Sequence, residues 1–199
     1  PVHVHPEFEL NYIENAPGAQ RLIGDSLEEI GDYELCLIGN ENLEHAWMNG
    51  SCDSKDIFEI TIQFHKDLFF ESMLSKRQFH SVAIMFENAK KGIVYSRETI
   101  LKVRDLLHKL CKNEEGFHSV IDLLNILQTL SEDKNSRILA TSTFANRDDS
   151  SDSRRIQKVI DYLHENYQKE IHLADVAGHV NMSEVSFSRF MKKRTGKNY

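Results

Sequence analysis

The sequence predicts an α+β chain in three parts: a β domain in front, a helical middle, and a small helical unit at the end. Three observations predict it. Short extended runs alternate with turn residues through residue 64. Apolar residues then recur at helical spacing between residues 96 and 130. The stretch 173–196 has the spacing of two short helices joined by a tight turn.

Residues 1–64 read as β. "VHVHPEFELNYI" has extended character, and "NAPG" is a turn signal. "QRLIGDSLEEI", "YELCLIG", "HAWMN" and "IFEITIQF" follow, separated by Gly, Asp and Asn. Many short strands with frequent turns predict a small barrel or sandwich. Residues 65–132 read as helices. Ser96 is placed to cap one of them, in which Ile100, Val103, Leu106, Leu107 and Leu110 form a stripe. Ile121, Leu124, Leu127 and Leu130 form a second stripe. Each stripe needs a partner, either the β domain or the helices of a second subunit. Residues 133–153 read as a linker: "NRDDSSDS" has no period and cannot bury enough surface to order itself. Ile156, Val159, Ile160 and Leu163 then open the last part, 154–199.

Charge divides along the same lines. The chain of 199 residues carries a net charge of −7 and is 40% hydrophobic, which excludes a protein basic all over. Residues 154–199 hold nine Lys and Arg against five Asp and Glu, so a basic tail follows an acidic body. That asymmetry fits a tail that meets a polyanion, or two differently solvated surfaces. Cys36, Cys52 and Cys111 are sparse and unpaired in spacing, which fits a reducing, cytoplasmic setting. No apolar run approaches eighteen residues, so no membrane span is expected. The opening "PVHVH" lacks an initiator Met and is already strand-like, so residues are expected upstream.

In the tail, Val176, Val180, Met182, Phe187 and Phe190 are placed to form a core between two steeply crossing helices, with Ala177 at their close approach. Asn181 falls where a helix-turn-helix needs a left-handed residue, which Asn tolerates. Ser183 can cap the second helix, and Gly196 suits the position past its end. With Phe187 and Phe190 inside, Val185, Ser188, Arg189 and Lys192 fall on the exposed face. Arg189 can make a bidentate contact to guanine, Ser188 can donate or accept, and Val185 can touch a thymine methyl. Lys192, Lys193 and Arg194 can neutralise phosphates. Double-stranded DNA is the partner this face predicts.

At the front, "HVHPEFE" puts His3 and His5 two apart, on one face of a strand, with Glu9 beyond a bend at Pro6. His45 follows in "NLEHAW". Three imidazoles and a carboxylate are a reasonable set for one divalent metal, Zn, Ni, Mn or Fe. A histidine pair at this spacing can equally be structural or pH-responsive.

Together "HVHPEFELNYI", "QRLIGDS", "GDYELCLIG", "EHAW" and the tail from Arg154 resemble the AraC/XylS family of bacterial transcriptional regulators. The resemblance implies a jelly-roll cupin that senses a small-molecule effector, helices that form a homodimer, and a DNA-binding domain with two helix-turn-helix units. It places Val185, Ser188, Arg189 and Lys192 at positions that face DNA in the first unit. His3, His5, Glu9 and His45 match the cupin metal ligands, H-x-H-x3-E and a later His. Two departures stand out. Leu37 replaces the usual Pro of the second cupin motif, and "NENLE" lengthens the loop before His45. The resemblance also implies a second helix-turn-helix beyond Tyr199, so this chain is expected to bind DNA weakly. No constellation of Ser, His and Asp supports hydrolysis, and a regulator rather than an enzyme is expected. The alternatives are a metal-dependent cupin enzyme, a dioxygenase or isomerase, and a sensor for which the metal is the effector.

Overall fold

The computed structural model describes residues 2–39, 42–112, 116–141 and 171–195, together with 158, 159, 162, 163, 166 and 169. It is a mixed α and β structure with two antiparallel sheets and packed helices.

The β strands follow the turn signals. Strand β1 (Phe8–Glu14) ends at Asn15, whose φ of 60° begins the "NAPG" turn. Strands β2 (Gln20–Ile23) and β3 (Ser26–Glu29) form a hairpin around Gly24 at φ 57°. Strands β4 (Tyr33–Ile38), β5 (His45–Met48) and β6 (Phe58–Phe64) follow. Two strands of two residues each, β7 (Ile93–Val94) and β8 (Arg137–Ile138), complete the set. One sheet has the order β6-β1-β4-β7-β8 and the other β3-β2-β5.

Strands β7 and β8 occur where helix and linker were expected. Each is too short to carry a period, and each forms because its neighbour offers a free edge: Cys36 and Leu37 of β4 pair with Val94 and Ile93, and β8 adds to β7. The chain reaches β7 through Gly92 at φ 70°, where an added Cβ would lie 2.7 Å from Ile23. The rest of the expected linker, 142–153, lies outside the described residues, as do Ile156, Ile160 and Gly196.

Four helices cover one face of the larger sheet or flank it: α1 (Glu71–Leu74), α2 (His80–Ala89), α3 (Arg97–Lys112) and α4 (Phe117–Ser131). Ser96 caps α3 as expected, its Oγ accepting from the Thr99 N–H. Ile100, Val103 and Leu107 of α3 pack with Leu10, Tyr12, Leu35 and Leu37 of the sheet, so this stripe finds its partner within the chain. In α4 the buried residues are Leu123, Ile126, Leu127 and Leu130, whereas Ile121 is exposed. Among the described residues no helix is long and apolar enough to cross a membrane.

The C-terminal helices α5 (Leu173–His179) and α6 (Glu184–Thr195) share a core of their own. Val176, Ala177, Val180 and Phe187 are buried there, with Met182 and Phe190 at its margin and Met191 added by the structure. Asn181 has the expected left-handed φ, 55°. The Ser183 Oγ accepts from the Ser186 N–H and so caps α6.

Candidate functional site

Strand alternation sorts β1 into two faces. Leu10 and Tyr12 turn to the helices, while Glu9 and Asn11 turn the other way and are also buried. Glu9 is where the front histidines converge. His3 forms an isolated bridge with His45, each backbone N–H donating to the other's carbonyl at 3.1 Å. This bridge overcomes the long "NENLE" loop, because it fixes His45 through the opposite neighbour. One candidate ligand atom from each of His3, His5, Glu9 and His45 lies within 4.8 Å of the others. The imidazole centroids are 4.2 Å apart for His3 and His45, 5.0 Å for His5 and His45, and 5.6 Å for His3 and His5.

The hydrogen bonds orient these rings. His45 Nδ1 lies 2.9 Å from the Leu43 carbonyl, which can only accept, so Nδ1 carries the proton. His45 Nε2 is then a lone pair in a wholly buried ring, without a hydrogen-bond partner and 3.7 Å from Glu9 Oε1. Burial pushes this imidazole down to about 4, so it is neutral near pH 7. His5 Nδ1 donates to the Glu7 carbonyl at 3.1 Å, and its Nε2 faces Glu9 Oε2 at 2.9 Å. With Nδ1 protonated, two acceptors face each other there unless a proton or a cation lies between them. The donor set therefore fits a divalent ion: two imidazoles are oriented through backbone carbonyls, in the way that histidine ligands are usually held.

Gln63 was not foreseen. It lies opposite Glu9 in the β1–β6 register, and its Nε2 donates to Glu9 Oε2 at 3.0 Å. Only that register, and not any motif, could have found it.

A second polar group sits among these strands. Arg21 is wholly buried and donates to Glu34 and to Glu28. Glu28 also receives both guanidinium nitrogens of Arg137, at 3.1 and 2.8 Å. That bond from Arg137, helped by Arg21 against partial burial, holds the Glu28 carboxyl down to about 2. The four residues join β2 and β3 of one sheet to β4 and β8 of the other.

On α6, Phe187 is buried, and Val185, Arg189 and Lys192 are exposed, with Ser188 half-buried beside them. Val185 is 63% exposed, unusual for a valine on a helix with an apolar core at its back. The side chains of Lys193 and Arg194 lie outside the described residues.

No protein-family model matches the chain, and no curated protein matches it. Among solved structures it is similar to ToxT from Vibrio cholerae, at 9% identity and TM-score 0.38, over 99% of this chain and 70% of that one. It is also similar to ToxT from Vibrio cholerae O395 bound to (E)-4-(8-methylnaphthalen-1-yl)but-3-enoic acid, at 8% identity and TM-score 0.35, over 98% and 70%. Superpositions at these scores decide neither the fold nor the function of this chain.

Proposed function

We propose that the chain is a DNA-binding transcriptional regulator of the AraC/XylS type, whose two-sheet domain is a cupin responding to a small-molecule effector. The observation that supports this most is the exposed row Val185, Ser188, Arg189 and Lys192 on α6, behind the left-handed Asn181 turn and the Ser183 cap. A helix so held can enter a major groove with its N-terminal half, Val185 through Arg189 touching base edges and Lys192 a phosphate. Self-association through the helical region would place two such helices on one duplex and raise their effective concentration.

The test is fluorescence anisotropy with random-sequence and selected duplexes at two salt concentrations. Binding should be weak and fall steeply with salt. Lys192→Ala should lower the salt slope by about 1, and Arg189→Ala should cost about 1–3 kcal/mol on the selected duplex only. Binding indifferent to both substitutions sinks the reading.

A second reading concerns the effector. The unpartnered buried Nε2 of His45 favours a divalent ion held by His3, His5, Glu9 and His45, with Gln63 orienting Glu9. When bound, such an ion supplies a Lewis-acidic position that an oxygen-bearing effector could occupy. The test is elemental analysis of the purified chain, with His45→Ala as control. About one ion per chain, lost in the variant, supports a metal centre; chelation that changes DNA binding makes the ion itself the signal. Turnover of a small molecule by the loaded protein would favour the cupin-enzyme alternative instead.

A further inference from the structure

The larger sheet ends at β6, which is paired on one side only, with β1. Among the described residues no backbone hydrogen bond joins its other side. A seven-residue free edge is a template for another strand, and proteins usually blunt such edges with Lys, Pro or a bulge. The strand reads Phe-Glu-Ile-Thr-Ile-Gln-Phe, with no Lys, Pro or Gly. Beside it runs a groove of about 530 Å³, lined by Glu59 through Phe64 along the strand and by Leu110, Val120 and Leu123 of α3 and α4. Ile57 and Phe58 at one end of the strand are exposed, as are Leu68 and Phe117.

The strand is also a palindrome in its chemistry. Reversed about Thr61, it reads the same except that Glu59 and Gln63 change places. We infer that this edge is the surface on which a second copy of the chain docks, β6 against β6 in antiparallel register about Thr61. In that register Phe58 lies opposite the second copy's Phe64, Ile60 opposite Ile62, and Thr61 opposite Thr61. Glu59 lies opposite Gln63, a carboxylate facing an amide that can donate to it. Apolar pairs fall on the helix-covered face, where Ile60 and Phe64 are already buried, and polar pairs fall on the other. Cross-strand pairs of these kinds are the unit of sheet stabilisation, and Thr opposite Thr is among the favourable ones. The symmetry singles out a copy of the same chain over a foreign peptide. A two-fold contact needs a surface complementary to itself, which a site for an unrelated strand does not. The inference moves the contact from helix faces to a strand edge with α3 and α4 as its flanks, and it does not depend on DNA binding.

The test is crosslinking of the full chain in a Cys52→Ser, Cys111→Ser background. Thr61→Cys puts two thiols opposite each other across the axis, within the Cα separation that a disulfide accepts. Ile57→Cys is the control: in the proposed register its thiol lies about 27 Å from its counterpart, at about 3.4 Å per residue. Diamide should convert the Thr61→Cys chain to a covalent dimer and leave the Ile57→Cys chain monomeric on a non-reducing gel. Sedimentation of the unsubstituted chain should show a concentration-dependent dimer, weakened severalfold or more by Thr61→Lys with unchanged circular dichroism. A dimer in which both thiols crosslink equally poorly places the contact elsewhere and overturns the inference. So does a chain that stays monomeric at every concentration reached, including one whose edge takes only foreign extended peptides.

Discussion

The two faces of the larger sheet are built from the same strands and could hardly differ more. Toward the helices, Leu10, Tyr12, Leu35 and Leu37 join a dry apolar core. On the opposite face, Glu9, Asn11 and Glu34 are buried just as deeply, with Arg21 across from them and an orphaned Nε2 on His45 nearby. Burying unpaired polar groups costs free energy, so a chain that needed only stability would have filled this face with apolar side chains. The contrast teaches where to look for function: one face holds the fold together, and the other holds groups that await something. Glu14 is the exception that sharpens the contrast. It lies on the helix side, where the Tyr12 hydroxyl donates to it at 2.5 Å and Arg104 and His108 grip it at 2.9 and 2.6 Å. There a carboxylate is fully partnered and serves as a clamp between β1 and α3.

The contrast can be broken most severely at Arg21. Arg21→Leu leaves Glu34 buried without its cation and should cost about 3–5 kcal/mol in urea unfolding, most of which Glu34→Leu in the same chain should restore. If the single change is silent, the polar face is open to water rather than buried. On the other face, Leu37→Ala empties a wholly buried position and should cost about 3 kcal/mol. That loss should come without any change in metal content, which elemental analysis checks.

Acid tests the clamp. Burial alone would raise the Glu14 carboxyl, but hydrogen bonds from Arg104, His108 and Tyr12 outweigh it and hold the group down to about 2. A group depressed on folding stabilises the native state above its unfolded value, 4.5, and that contribution is lost as pH falls from there toward 2. About 2–3 kcal/mol should disappear across this window, at about 1.4 kcal/mol per pH unit. Glu14→Gln should flatten this part of the stability profile.

The smallest effect is expected at Asn11, whose Nδ2 donates to Glu59 and Thr61 while its Oδ1 has no partner. Asn11→Leu removes that orphan along with the bonds and should change stability by less than about 1 kcal/mol. A large loss would mean that the polar face stabilises the fold after all.

Most strands were legible because each lies between turn residues that cannot continue it: Gly24 at φ 57° and Asn15 at φ 60° are local decisions. The caps at Ser96 and Ser183 and the turn at Asn181 were legible for the same reason. Strands β7 and β8 were not, since two residues carry no period and pair only where β4 leaves an edge. Arg21 was illegible too: in "QRLI" it reads as an outward polar residue, and only two facing carboxylates make its burial tolerable.

By itself, then, the sequence determined the local grammar of this protein: where strands and helices start and stop, which side of α6 carries charge, and which four residues could ligate an ion. These follow from backbone dihedral preferences and side-chain periods, which are set within a few residues of one another. Tertiary structure alone decided that His3 and His45 meet, that Gln63 reaches Glu9, and that β6 stays at an edge. Each of these depends on register between segments 42 to 54 residues apart, where a shift of one residue would turn every side chain to the other face.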